Sequence, residues 1–202
     1  MDDSALTPAD PEQGGRSLEL LHKAADLFFE FGFRATTMNQ IAQVMGLTKP
    51  SLYHYISSKA DLLFDVLTYA MDALEREIVA SAERIDDPRE RLEFLVEGHL
   101  RSIASHGGRL TIAFDEARHL PEPLRKQIQR RQANYFEFVC ATLSEIKQAE
   151  RLRSRSVQLS AAFILMTIDA SARWFMEVDE IDMEFTLRET VNFILQGALR
   201  PA

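Results

Sequence analysis

The sequence predicts an all-α protein, with an N-terminal three-helix domain built on a helix-turn-helix and a larger helical domain behind it. Three observations carry this expectation. Between the breaks at Gly32, Gly46, Pro88, Gly107-Gly108, Pro121 and Pro123, apolar residues recur at helical rather than strand spacing. No stretch alternates apolar and polar residues over a useful strand length. Thr37, Thr48 and Ser58 each stand where a side-chain hydroxyl caps the start of a helix.

The elements follow in order. Residues 1–15 carry Asp2, Asp3, Asp10 and Glu12 and no base, the opposite of a signal peptide, and are expected to form a disordered acidic leader. Leu20, Leu21, Ala24, Leu27, Phe28 and Phe31 then make one stripe, and Gly32 sits where a left-handed residue ends that helix. Thr37 with Gln40 forms a capping box ahead of Ile41, Ala42 and Met45, and Gly46 stops this second, short helix. Thr48 caps a third, with Pro50 in its first turn, where a missing N–H costs little. Its inward residues are Leu52, Tyr55 and Ile56. Ser58 and Asp61 open a long fourth helix whose stripe runs from Leu62 to Leu74 and which extends towards Arg84. Further helices are expected near 88–106, 109–118, 122–148, 154–178 and 184–199. The helix at 154–178 is apolar nearly all round: Leu159, Phe163 and Met166 lie on one side, Ala161, Ile164 and Ile168 on another. Such a helix needs two buried contacts. Together with Val191, Ile194, Leu195 and Ala198 of the last helix, it predicts a homodimer through the two C-terminal helices, packed as a four-helix bundle. The domain reading is thus a 1–15 leader, a 16–62 helix-turn-helix domain and a 63–202 ligand-binding and dimerisation domain.

Composition narrows the function. Of 202 residues, 46% are hydrophobic, enough for a packed core without staples, and the single cysteine, Cys140, excludes an intrachain disulfide. No apolar run of roughly 18 residues suggests a membrane span, and a reducing cytoplasm is the expected compartment. The net charge is −8, unevenly placed. Residues 16–60 hold Arg16, Lys23, Arg34, Lys49 and Lys59 against Glu19, Asp26 and Glu30, a local +2. One basic module on an acidic molecule permits DNA binding through one face and discourages it elsewhere.

That module carries the chemistry. With Leu52 and Tyr55 turned inward, the third helix presents Thr48, Lys49, Pro50, Ser51, Tyr53 and His54, a set of donors, acceptors and flat rings sized for a major groove. Lys49 suits a phosphate or a guanine edge, Thr37 offers a helix N-terminus to a phosphate, and Lys59 at the start of the fourth helix is expected to complete the phosphate clamp. For any one of these residues the alternative is a polar side chain that merely solvates a helix corner. The segment from Leu20 to Leu67 resembles the DNA-binding domain of the TetR repressor family. The matching residues are Ala24 to Phe28, Gly32, Thr36-Thr37, Ile41-Ala42, Met45-Gly46-Leu47, Ser51-Leu52-Tyr53-His54-Tyr55 and Ser58-Lys59-Ala60-Asp61-Leu62-Leu63. The resemblance implies an obligate homodimer of nine or ten helices per subunit that binds a palindromic operator and releases it when a small-molecule inducer shifts the fourth helix. Two departures, Pro50 where the family usually has a small residue and His54-Tyr55-Ile56 where Tyr-His-Phe is common, bear on base preference.

In the second domain, Asp115-Glu116-Ala117-Arg118-His119-Leu120-Pro121 with Arg125, Ile128, Arg131 and Tyr135, and later Ala172-Arg173-Trp174-Phe175, resemble the subset of the family that senses acyl-CoA thioesters. This implies Arg118, Arg125, Arg131 and Arg173 as phosphate partners and Phe114 and Trp174 as pocket walls. Ordinary ion pairs and core packing are the alternative roles. A different hydrophobic inducer is the second reading. Asp115 and His119 share a helical face, with His99 and His106 elsewhere, but two residues do not make a metal site, and no cofactor is expected. There is no Gly-rich phosphate loop, nucleophile elbow, His-Glu-x-x-His or Cys-x-x-Cys to support an enzyme. A purely structural helical protein would lack salt-dependent DNA affinity.

Overall fold

The computed structural model describes residues 11–105, 113–149, 152–177 and 182–200. Among them lie eight α-helices and one 3-10 helix, with no strand beyond an isolated bridge between Leu152 and Leu199. Helix α1 spans Pro11–Ala35, so the expected 1–15 leader is corrected in its last five residues. Proline at the first helical position, with φ already suited to the helix, lets the helix start there. Residues 1–10 lie outside the described segments. Within α1 the backbone breaks at Gly32, φ 77° and ψ 156°, a conformation that a Cβ would strain. Buried Thr36 ties the break together, its hydroxyl donating to Leu27 O (3.0 Å) and Gly32 O (2.9 Å).

Helices α2 (Met38–Val44) and α3 (Lys49–Leu52) are too short to persist alone. They persist because Ile41 and Leu52, both 0% exposed, are driven into one core with Leu20, Ala24 and Phe28 of α1. Helix α4 (Lys59–Ala73) opens on Ser58, whose hydroxyl accepts from Asp61 N and donates to the Asp61 carboxylate. It continues through a π-helical stretch, Leu74–Val79, before ending at Ala80–Ala82. Its first half supplies Leu62, Leu63, Val66 and Leu67 to the N-terminal core, and its second half supplies Met71, Leu74, Ile78 and Ala82 to the core of the second domain.

The second domain comprises α5 (Pro88–Ser105), the 3-10 helix Ala113–His119, α6 (Glu122–Gln148), α7 (Val157–Glu177) and α8 (Met183–Ala198). Where sequence periodicity suggested an ordinary helix over 109–118, the described part is a 3-10 helix packed against α1 and α4. Leu120 and Ile128, just beyond it, are buried in the N-terminal core, so the two cores interlock.

Candidate nucleic-acid interface

The helix-turn-helix is assembled by caps. Thr37 and Gln40 close a reciprocal box: Gln40 N donates to Thr37 Oγ1 (3.2 Å), and Thr37 N donates to Gln40 Oε1 (2.8 Å). The turn takes a positive φ of 63° at Gly46, and Leu47 N returns to Ala42 O at 2.8 Å. Thr48 then caps α3, accepting from Ser51 N (3.3 Å) while the two hydroxyls pair at 2.7 Å. With Leu52 pinned inside, Thr37, Thr48, Lys49, Pro50, Tyr53 and His54 are exposed, Ser51 and Tyr55 are half-buried, and Ile56 is buried. The inward and outward sets match those read from helical spacing.

Lys59 is placed differently from expectation. Its ammonium donates to Phe33 O (2.6 Å), Thr36 O (2.6 Å) and Arg34 O (3.4 Å) and lies 4.4 Å from the centre of the Phe33 ring. A cation at the C-terminal end of α1 satisfies carbonyls that the break at Gly32 leaves without helical partners. Burial lowers its pKa. Lys59 therefore holds the end of α1, an inward role that helical spacing did not anticipate.

Phe33 also joins the two domains. Its ring stacks on His119 at 5.7 Å with an interplanar angle of 13°, and its backbone N–H donates to Glu116 Oε2 at 2.9 Å. Glu116 in turn lies 3.5 Å from His119 Nε2 and 3.3 Å from Arg118 Nη2. Phe33, three positions upstream of the buried Thr36 and four upstream of Thr37, is thus held by the 3-10 helix of the second domain.

The side chains expected at a ligand do not gather at one place. Arg118 is exposed on the 3-10 helix, and Arg125 is half-buried at the start of α6. Arg131 bridges Asp72 (2.6 Å) and Glu75 (2.8 Å), tying α6 to α4 and its π-helical stretch. Trp174 lies on the exposed side of α7. The side chains of Phe114 and Arg173 lie outside what the structure describes. Polar groups that the sequence reading did not assign to this half sit inside it instead. His99 Nδ1 and the Tyr135 hydroxyl are 3.3 Å apart, and Thr68 Oγ1 is buried without a hydrogen-bond partner. Burial pushes the His99 pKa down to about 4 and the Tyr135 pKa up, with Asp169 adding to the latter. His99 nevertheless keeps some accessible surface. In sequence, nothing local set the pairing of His99 with Tyr135 apart from ordinary core polars, because the two stand 36 positions apart on different helices. Among the described residues no three His, Cys, Asp or Glu side chains cluster as metal ligands, and His119 is engaged by Phe33 and Glu116.

Comparison with known proteins bears on both halves. Residues 20–66 match the family model described as bacterial regulatory proteins, tetR family, and residues 85–198 match that of the tetracyclin repressor-like C-terminal domain. The chain is 31% identical over 201 residues to the HTH-type transcriptional repressor KstR2 of Rhodococcus jostii (strain RHA1), covering 96% of this chain and 97% of that protein. Among solved structures, the ketosteroid transcriptional regulator KstR2 of Mycobacterium tuberculosis superposes with a TM-score of 0.83 at 28% identity, covering 92% of this chain and 96% of that one. AibR, solved with isovaleryl coenzyme A and operator DNA, superposes with a TM-score of 0.79 at 26% identity, covering 88% and 97%.

Proposed function

This chain belongs to the TetR family of bacterial transcriptional regulators, and from that premise we propose that it is a homodimeric repressor whose hold on a palindromic operator is released by an acyl-CoA thioester. The observation that carries the reading is the outward set on the helix-turn-helix. Thr37, Thr48, Lys49, Pro50, Ser51, Tyr53 and His54 are presented on helices whose inner faces are fixed by Ile41 and Leu52. In this arrangement Lys49 and the Thr37 helix end meet phosphates, and Tyr53, His54 and Ser51 meet base edges or thymine methyls. The protein acts where the DNA is, in the cytoplasm, by stoichiometric binding rather than catalysis.

Dimerisation follows from the C-terminal helices. On α7, Leu159, Phe163, Met166 and Trp174 are exposed to 55, 63, 64 and 47%, in one stripe at helical spacing, and α8 adds Phe185 at 58% and Phe193 at 73%. Apolar surface of this extent marks an interface. Two such faces packed about a two-fold axis form a four-helix bundle and set the two α3 helices in successive major grooves, about 34–36 Å apart.

The inducer enters between the α4 stem and α5, α6 and α7. His99, neutral at physiological pH, and the Tyr135 hydroxyl offer an uncharged polar edge in an apolar core, which suits a thioester carbonyl better than a free carboxylate. Arg118, Arg125 and Arg173 are the candidates for the nucleotide phosphates, and Phe114 is the candidate for a pocket wall. Two links transmit the effect: α4, shared by both cores, and the contact of Phe33 with Glu116 and His119. The inducer shifts operator affinity only by as much as its own affinity differs between the operator-binding and released states.

The test is selection of bound sequences from a random duplex pool by the purified protein, followed by titration of isovaleryl-CoA and other acyl-CoA esters, with the free acids as controls, against the selected operator. A palindrome released by thioesters and not by free acids is expected. A palindrome released by neither overturns the inducer assignment and leaves the repressor. No enrichment by a folded dimer overturns DNA binding.

A further inference from the structure

We propose that a groove at one end of the second domain, framed by Arg89, Arg153 and Arg200, is a binding site for a small phosphate-bearing anion. The groove encloses about 360 Å³ where the first turns of α5, the segment after α6 and the C-terminal turn of α8 meet, and Glu93, Asn192 and Gln196 complete its polar lining. This volume lies within the range of small-molecule sites.

The walls are built rather than incidental. Leu152 and Leu199 form a β-bridge, Arg153 N donates to Ala198 O (2.9 Å), and Arg153 Nε donates to Leu199 O (2.6 Å), so the segment after α6 is laced to the end of α8. This places the Arg153 guanidinium at the groove. On the opposite wall, the Asp87 carboxylate accepts from Arg89 N (2.8 Å) and Glu90 N (2.9 Å), fixing the first turn of α5. The half-buried Arg89 has its Nη1 shielded from solvent with no hydrogen-bond partner. A buried guanidinium N–H without an acceptor is unfavourable in the empty protein and becomes favourable once an oxygen anion arrives.

Three guanidiniums, those of Arg89, Arg153 and Arg200, line one groove, and among the described lining residues Glu93 supplies the carboxylate, on a chain whose net charge is −8. Planar forks that donate in pairs match the several oxygens of a phosphate, and the carboxamides of Asn192 and Gln196 add neutral donors. None of these residues belongs to the helix-turn-helix or to the Arg118, Arg125 and Arg173 set. The phosphate can come from the nucleotide end of a thioester inducer or from a separate phosphate ester.

The experiment is isothermal titration of the full-length dimer with inorganic pyrophosphate at low ionic strength. Saturable binding is expected, weakened about tenfold or more by Arg89→Gln through loss of one charge-assisted pair. Glu93→Gln, an exposed position, is expected to tighten binding several-fold, a gain that misfolding cannot produce. Absence of saturable binding, or equal affinity in the wild type and both variants, overturns the proposal. Repeating the titration with saturating isovaleryl-CoA separates the sources: displacement of pyrophosphate assigns the site to the nucleotide end of the thioester, and undiminished binding assigns it to an independent phosphate ester.

Discussion

Lys59→Met separates a cation that holds the protein together from one that faces DNA. The ammonium meets two carbonyl oxygens at 2.6 Å and covers the Phe33 ring at 4.4 Å. A hydrogen bond from a charged donor contributes about 1.5–3 kcal/mol and a cation–π contact about 0.5–2 kcal/mol, and desolvation of the ammonium opposes them. The net loss on substitution is therefore set at about 2–4 kcal/mol, which for a chain of this length lowers the thermal midpoint by about 4–16 °C. Methionine keeps most of the aliphatic stem, so the change removes charge more than packing. Calorimetry at fixed protein concentration reads the loss, because dissociation makes a dimer's midpoint concentration-dependent. DNA binding supplies the second readout. The slope of log affinity against log salt should stay at the wild-type value in Lys59→Met. Lys49→Met, which removes one phosphate contact per protomer, should flatten that slope by about 1.8, twice the 0.9 expected per contact. Unchanged stability together with a flattened slope in Lys59→Met would refute the inward role.

Four further outcomes test other parts of the molecule. Tyr53→Ala should weaken operator binding by about tenfold or more while sedimentation still shows a dimer, and loss of the dimer would contradict the division of labour between the domains. Phe163→Glu, placing a charge in the exposed stripe of α7, should sediment as a monomer and bind half-sites only weakly; a stable dimer would move the interface elsewhere. Asp65 is held near pKa 6 by burial and by the Asp61 carboxylate, above the ordinary 3.8, so the folded state favours its protonated form and loses that stabilisation as pH rises through about 6. Asp65→Asn should raise the thermal midpoint at pH 7.5 and lose its advantage below pH 4, and a destabilised variant at pH 7.5 would be the contrary result. His99 acts with the opposite sign: its neutral form is favoured with a folded pKa of about 4 against 6.5, so its contribution is intact above 6.5 and is lost as pH falls towards 4. His99→Gln should flatten the acid limb of the stability curve.

The N-terminal half was legible because its signals are local. Capping hydroxyls at Thr37, Thr48 and Ser58, glycines at the two positions of positive φ, Gly32 and Gly46, and apolar residues at i, i+3 and i+4 are all determined within a few residues, and the structure places each as the spacing predicts. The inward contacts of Lys59 were not legible because its partners are backbone carbonyls of Phe33 and Thr36, more than twenty positions upstream, and carbonyls leave no trace in residue identity. The start of α1 at Pro11 was missed because an acidic, glycine-containing segment reads as leader when judged by composition alone. In the second domain, periodicity located α5 to α8 to within a few residues, and the exposed side of α7 was visible as a second apolar stripe. Its ligand residues were not, because an arginine that pairs across helices, as Arg131 does with Asp72 and Glu75, has the same local surroundings as one that waits for a phosphate.

The π-helical stretch from Leu74 to Val79 gives the α4 stem one residue more than an α-helix would use over the same rise. Upstream of it the stem is keyed to the N-terminal core through Leu62, Leu63, Val66 and Leu67, and at its far end and beyond to the second core through Ile78 and Ala82. Each residue of an α-helix turns the chain by about 100° and advances it by about 1.5 Å. The surplus residue is therefore an angular offset that lets one continuous rod satisfy two cores whose preferred faces are out of phase. Deleting a single residue between 74 and 79 would restore regular α geometry while keeping both faces aimed as they are, so this stretch should accept a one-residue deletion that the flanking turns of the same helix would not.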